Sequence, residues 1–395
     1  MATAGFRSLP LSIAQLSLPA VLKCGQSFRW QCILLAAAPA TPTKTQTPLA
    51  DAPAQEWRLT LQDRVICLRQ TPTTLLYRAI FPNESASPEE NALREETTLT
   101  FIRDYFQLDV DLIELYSQWS ASDEVFRKVQ ERFVGIRILR QDPWENLVSF
   151  ICSQNNHISR ITGMVQKLCT DFAPPLVTIP ATDFAPQQTY HAFPPPKALA
   201  DPSIEGVLRE LGFGYRAKYI QKTAALLCER HEDPMAWLLS LRKMSIEEAR
   251  AALLEFHGVG PKVADCILLM SLDKASVVPV DTHVYQIAVK HYGLRGTPGK
   301  ASMTPQLYAR LTEKFTAIWG EYAGWAHSVL FTSDLKSFSE YGLTPSASSS
   351  STPSASDTVA NGTPDSPTKR KGVVSTLDEE TLLTPTRLRK RRKVV

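Results

Sequence analysis

Residues 245–272 read SIEEARAALLEFHGVGPKVADCILLMSL. Ser245, followed three residues later by Glu248, has capping-box spacing and starts a helix that turns Ile246, Ala249, Leu253 and Phe256 inward. Gly258-Val259-Gly260 breaks that helix. Pro261, with no N–H to leave unsatisfied, suits the first position of the next one. Two helices joined by a Gly-x-Gly turn form a hairpin whose backbone N–H groups can face a phosphate. The same turn also serves tight helix packing alone, so the hairpin by itself leaves DNA binding open.

Lys262 adds chemistry to that frame. It falls in the first turn of the second helix, where the partial positive charge of the helix N-terminus disfavours another cation. The expectation is a lysine of lowered pKa whose neutral, nucleophilic amine is accessible. Cys266 lies one turn further along the same face. Downstream, Val277-Val278-Pro279-Val280-Asp281-Thr282-His283 is an apolar extended run ending at Asp281, placed to N-cap the helix that follows. Capping is reason enough for that carboxylate. Near a reactive lysine it can also stabilise a cation developing at a sugar carbon. A hairpin, Gly-x-Gly-x-Lys and Val-Pro-Val-Asp together form a specific combination.

Upstream, residues 27–34 (SFRWQCIL), 57–61 and 65–68 alternate in polarity and are rich in β-branched and aromatic side chains, which predicts a half-buried antiparallel sheet. Residues 36–55 (Ala, Pro and Thr rich) and 173–202 (Pro rich) read as loops. From about Asp104 apolar residues recur at three- and four-residue steps, as in Phe126, Val129 and Phe133, and the pattern stays helical to near Lys336. The fold class is α+β. An N-terminal antiparallel sheet domain with helices at its end covers 1–142, an all-helical body covers 143–336, and a disordered Ser/Thr/Pro-rich basic tail covers 337–395.

The formal net charge of +3 resides in that tail: from Ser337 onward nine Lys or Arg face six Asp or Glu, and the preceding residues carry 34 of each sign. Any DNA-binding face must therefore be a local patch. Lys369-Arg370-Lys371 and Arg389-Lys390-Arg391-Arg392-Lys393 read as nuclear-import signals, with a solubilising tail or a DNA tether as alternatives. Seven cysteines without C-x-x-C spacing fit reduced thiols, and no metal or other cofactor is expected. No run of 18 apolar residues predicts a membrane span.

Five motifs in order resemble those of the eukaryotic 8-oxoguanine DNA glycosylase family, within the helix-hairpin-helix superfamily. They are Gly25–Trp30 (GQSFRW), Phe150–Asn156 with Ile158–Gly163, Leu211–Ala217 (LGFGYRA), Val259–Cys266 (VGPKVADC) and Tyr322–Ala326 (YAGWA). The resemblance implies a monomeric base-excision enzyme that flips oxidised guanine, paired with cytosine, out of double-stranded DNA. Lys262 would attack the sugar C1′, Asp281 would stabilise the cationic sugar, and the Schiff base would permit β-elimination. The flipped base would lie between Cys266 and Phe331 beside Met270, with the Gly25 carbonyl accepting from its ring N–H. Asn155, Arg160 and Arg216 would hold the orphaned cytosine while Tyr215 wedges into the stack. His283, Gly258, Gly260 and Asp334 would complete the DNA-binding set.

Each of these has a plainer reading: Asn155 as a satisfied turn residue, Tyr215 as a core aromatic, His283 as an ordinary second-turn helix residue. One departure stands out. Where the family usually has a glutamine reading the base's pairing edge, this chain has His327, so base recognition is expected to differ in strength or pH dependence. No role follows for His157 beside Asn156. Two other functions fit less well. The alkylated-purine branch works with aspartate alone and the iron–sulfur branch needs four clustered cysteines. A non-catalytic DNA-binding scaffold has no use for a lysine–aspartate pair. The expected location is the nucleus, with a mitochondrial fraction left open.

Overall fold

The computed structural model describes residues 5–35, 53–83, 85–295 and 304–342. Most of the 36–55 segment and both basic runs of the tail lie outside these residues. The chain opens with β1 (Arg7–Pro10), a short helix α1 (Leu18–Val21), β2 (Gln31–Leu34), β3 (Gln55–Thr60), β4 (Val65–Gln70) and β5 (Thr74–Ile80). The strands form one antiparallel sheet in the order β1-β5-β4-β3-β2. The expected strand over 27–34 shortens to β2, because residues 27–30 are buried chain outside the ladder.

Strand alternation sends Leu59, Ile66, Leu68, Leu75 and Tyr77 into a core shared with Ile102, Tyr105 and Phe106. The opposite face is covered too, which corrects the reading of 173–202 as a loop. Within that segment β6 (Pro175–Ile179) and β7 (Gln188–His191) pair as a hairpin, and Ile179 and Tyr190 bury Val65 and Cys67. Its prolines stand at the ends of the strands, where no ladder hydrogen bond is lost.

The helical part begins earlier than expected. Helix α2 (Pro88–Tyr105) starts at the Ser87 cap, sixteen residues before the apolar periodicity appears, because its exposed first turns are polar and only Thr98, Ile102 and Tyr105 are buried. There follow α3 (Leu112–Ser122), α4 (Glu124–Val129), α5 (Pro143–Cys152), α6 (Ile158–Phe172), the single turn α7 (Pro196–Leu199), α8 (Ile204–Glu210) and α9 (Arg216–Arg230). After them come α10 (Pro234–Ser240), α11 (Ile246–Leu254), α12 (Pro261–Ser271), α13 (Thr282–His291), α14 (Pro305–Trp319) and α15 (Ala323–Asp334).

The capping box at Ser245 and Glu248 is present in both directions. Every residue of α12 from Val263 to Ser271 is buried, so this helix runs through the core and only its first turn reaches the surface. The expected division at 142/143 falls at Asp142, the N-cap of α5, inside one compact unit. The folded part also runs past 336. Phe338 is buried, Tyr341 stacks on Phe133 at 5.7 Å, and Arg132 donates to the carbonyls of Phe338, Ser339 and Tyr341. Two aromatics three residues apart and the Arg132 guanidinium seat this turn together.

Helix α15 lies close against the chain between Ala275 and Val277. A Cβ on Gly324 would stand 2.9 Å from the Ala275 carbonyl oxygen, nearer still to that of Val277, and 2.5 Å from the Leu269 side chain. Gly324→Ala should therefore cost about 3 kcal/mol, the upper range for overpacking a core. Urea unfolding of the two proteins would read this, and an unchanged midpoint would contradict the close approach.

Candidate active site

Local rules assemble the hairpin. Gly258 adopts φ +80°, and a Cβ there would sit 2.6 Å from the Tyr219 ring, so both backbone and space require glycine. Its carbonyl accepts from Gln154 Nε2 at 2.6 Å, tying the turn to the end of α5. Gly260 is the N-cap of α12 and Pro261 its first residue. Lys262 therefore emerges at the rim of a buried helix, its Nζ 4.9 Å from the centre of the Phe150 ring. Asp281 caps α13 as expected, Oδ1 accepting from the backbone N–H of His283 at 2.9 Å and Val284 at 3.1 Å.

These two residues reach one cavity of about 470 Å³, part of it open to solvent. Gly25, Cys266, Met270, His327 and Phe331 line it as well, so the residues expected to hold a base are brought together with Lys262 and Asp281. The cavity also takes in Gln26 and Phe150, which the reading of the sequence quoted in motifs but gave no role. Gln26 locks the turn carrying Gly25: its amide donates to the Arg137 carbonyl at 3.0 Å and accepts from Leu139 N–H at 3.0 Å. Ser328 and Thr332 spend their hydroxyl protons on carbonyls one turn back in α15.

The expected lowering of the Lys262 pKa is not what the site produces. Burial pulls it down, but the Cys266 sulfur and the Asp281 carboxylate more than offset burial and hold the ammonium above its ordinary range. Cys266 is itself pushed up to about 11 by burial, so near neutral pH it is a thiol and Asp281 is the anion that acts on the lysine. The helix N-terminus alone misleads because it leaves out a carboxylate supplied from another segment. His327 moves the other way. Burial lowers it to about 4, with Asp281 opposing and Lys262 adding to the shift, so the imidazole is neutral near pH 7. Its Nε2 is buried and has no hydrogen-bond partner.

A second group surrounds the mouth of α5. Asn155 is exposed with φ +45°, and the carbonyl before it, that of Gln154, accepts from Tyr215 Oη at 3.2 Å and from Arg216 Nε at 3.1 Å. Arg216 is almost fully buried and also donates to the Asn155 carbonyl at 3.0 Å, so here it shapes the Asn155 turn. Tyr215 is 44% exposed, which excludes the core-aromatic reading. Arg160 is exposed, with one bond to the Gly212 carbonyl at 3.3 Å. His157 is the N-cap of α6, its Nδ1 accepting from Arg160 N–H at 3.4 Å. His283 lies in the first turn of α13, not the second, 3.9 Å from Asp334, which also pairs with Lys290 at 2.9 Å.

Among the described residues no group of three His, Cys, Asp or Glu is placed to hold a metal, and no helix is long and apolar enough to cross a membrane.

Comparison with known proteins places the chain in a family. The family profile of the 8-oxoguanine DNA glycosylase N-terminal domain matches residues 8–147, and that of the HhH-GPD superfamily of base excision DNA repair proteins matches 148–314. The chain is 38% identical to the N-glycosylase/DNA lyase OGG1 of Arabidopsis thaliana, covering 83% of this chain and 80% of that one. It is 35% identical to the N-glycosylase/DNA lyase of Saccharomyces cerevisiae, covering 84% and 86%. Among solved structures it resembles the Clostridium acetobutylicum 8-oxoguanine glycosylase/lyase in complex with double-stranded DNA containing cytosine opposite 8-oxoguanine. That match has a TM-score of 0.61 and 26% identity, over 80% of this chain and 91% of the other.

The shifted His327 has a measurable consequence. The unfolded chain takes up a proton near pH 6.5 that the folded site refuses until about 4, so this residue lowers stability as pH falls through that window. Between pH 7 and 4, wild type should lose about 3 kcal/mol more stability than His327→Gln. Equal losses in urea titrations at the two pH values would contradict a neutral buried imidazole.

Proposed function

The chain belongs to the 8-oxoguanine DNA glycosylase family, and from that premise we propose that Lys262 and Asp281 are its reacting pair. The enzyme is an N-glycosylase with DNA lyase activity, a base-excision repair protein of helix-hairpin-helix fold that acts on DNA. The observation that carries the residue assignment is the meeting of Lys262 and Asp281, from different segments, in one cavity beside an unpartnered base-reading nitrogen.

Lys262 first gives up the proton that Asp281 helps it hold. Its amine then bonds to C1′ as the glycosidic bond breaks, and that electron pair leaves with the base, which takes up a proton. Asp281 stabilises the positive charge on the sugar at its peak. Ring opening yields the Schiff base, and loss of a C2′ proton expels the 3′ phosphate, nicking the strand. A duplex base must be extruded for this, so Asn155 and Tyr215 would fill its place and Arg160 face the partner base, with Arg216 holding their loop. His283 and the Gly258–Gly260 turn would contact phosphate, while Asp334 orients His283 and Lys290. The lesion is oxidised guanine opposite cytosine, its ring N–H accepted by the Gly25 carbonyl. Cys266, Met270 and Phe331 would pack against the flipped base.

The enzyme is expected to act as a monomer. The two basic runs of the tail suit import to the nucleus. A wider lesion range is the second reading. His327 offers one neutral ring nitrogen where a glutamine would offer both a donor and an acceptor.

Lys262→Gln should remove strand nicking and slow base release at least about a hundredfold without weakening binding to lesion duplex; Asp281→Asn should slow it on a similar scale. Wild-type nicking by the lysine variant would end this assignment. Base release should rise with pH through the neutral range, and Asp281→Asn should move that rise to lower pH, since the lysine then holds its proton less tightly. An unmoved profile would exclude Asp281 as the lysine's partner. His327→Gln should change the ratio of rates on 8-oxoguanine and on other oxidised purines by about tenfold or more. A constant ratio would remove His327 from base recognition.

A further inference from the structure

Asp265 follows Lys262 by one helical turn in α12 and immediately precedes Cys266, yet its side chain points away from the cavity and is fully buried. A carboxylate survives there only if its oxygens are bonded. Arg250 of α11 donates Nε–H to Oδ1 at 2.8 Å, and Tyr308 of α14 donates its phenol proton to Oδ2 at 2.5 Å. Burial and the adjacent Asp265 carboxylate push the phenol well above its ordinary range, so the proton stays on Tyr308.

The phenol oxygen keeps a second bond. It accepts the backbone N–H of Val280 at 3.3 Å. Val280 belongs to the extended run before α13, which joins neither sheet and so has no ladder partner for that N–H. The next residue is Asp281. One hydroxyl therefore connects the helix that carries Lys262 to the residue before the carboxylate, through two hydrogen bonds with nothing between them.

We propose that Tyr308 is a positioning residue for the glycosylase reaction. Anchored on Asp265, it holds the Val280 backbone so that the Asp281 carboxylate meets the amine of Lys262. The inference rests on the assignment of those two residues as the reacting pair. The plain alternative is a staple between α12 and α14 that contributes stability and nothing to the chemistry.

A double-mutant cycle separates the two. Tyr308→Phe keeps the ring and its packing and removes only the hydroxyl. Single-turnover base release from an 8-oxoguanine duplex should slow about tenfold, less than the ~10²–10³-fold cost of losing a donor that touches the reacting atoms, while the Kd for that duplex stays within about twofold. In an Asp281→Asn background the same substitution should slow the reaction less than about twofold, because what it positions is gone. A melting temperature lowered with the single-turnover rate intact, or a full tenfold effect in both backgrounds, overturns the proposal. If Asp281→Asn alone reacts at the wild-type rate, the reacting-pair assignment has failed instead. Should Tyr308→Phe not fold, Asp265→Asn is read in the same cycle with the same expected non-additivity, since it loosens the anchor and leaves the phenol in place.

Discussion

A helix buried along most of its length comes to the surface only at its ends. From Val263 to Ser271, α12 has no exposed residue, so its direction and depth are set by packing against α5, α11 and the rest of the core. The one position free to carry a reactive group to the surface is its first turn, and Lys262 stands there. The left-handed glycine at 258 lets the chain reverse, and Pro261 starts this helix at that point. Asp281 arrives from the following segment, and α15 brings His327 and Phe331, its close approach permitted by Gly324. The remaining cavity wall is supplied by Gly25 in a turn locked by Gln26 to residues 137–139. The cavity that holds Lys262 and Asp281 is thus the place where the sheet-side turn and the neighbouring helices meet the open end of α12.

What could be seen in the sequence were the features governed by rules of a few residues. The capping box at Ser245, the Pro261 start and the Asp281 cap each depend on side chains within one turn of each other, and each is found where expected. Features that depend on partners distant in the chain were read less well. Helix α2 begins with polar turns, and its identity depends on the sheet it packs against. The β6–β7 hairpin hides in a proline-rich stretch and is defined by the buried face of β4. The turn at Phe338 and Tyr341 is held by Arg132, some two hundred residues earlier.

The electrostatics show the same division. A helix N-terminus and burial both argue for a lowered Lys262, yet the carboxylate of Asp281 and the sulfur of Cys266 reverse the outcome. His327 could be recognised in the sequence only as a departure from a familiar pattern; that it is neutral and that its Nε2 is left without a partner are facts of packing. The two shifts have a common sense. The lysine is kept charged by the Cys266 sulfur and the Asp281 carboxylate, while burial keeps the imidazole neutral.

The central claim is that the amine of Lys262 forms the covalent link to DNA. The direct test is to reduce the reaction on an 8-oxoguanine duplex with borohydride, digest the product, and locate the sugar adduct by mass spectrometry. A single modified peptide should carry the adduct, on Lys262. An adduct on any other amine, with Lys262 unmodified, would contradict it.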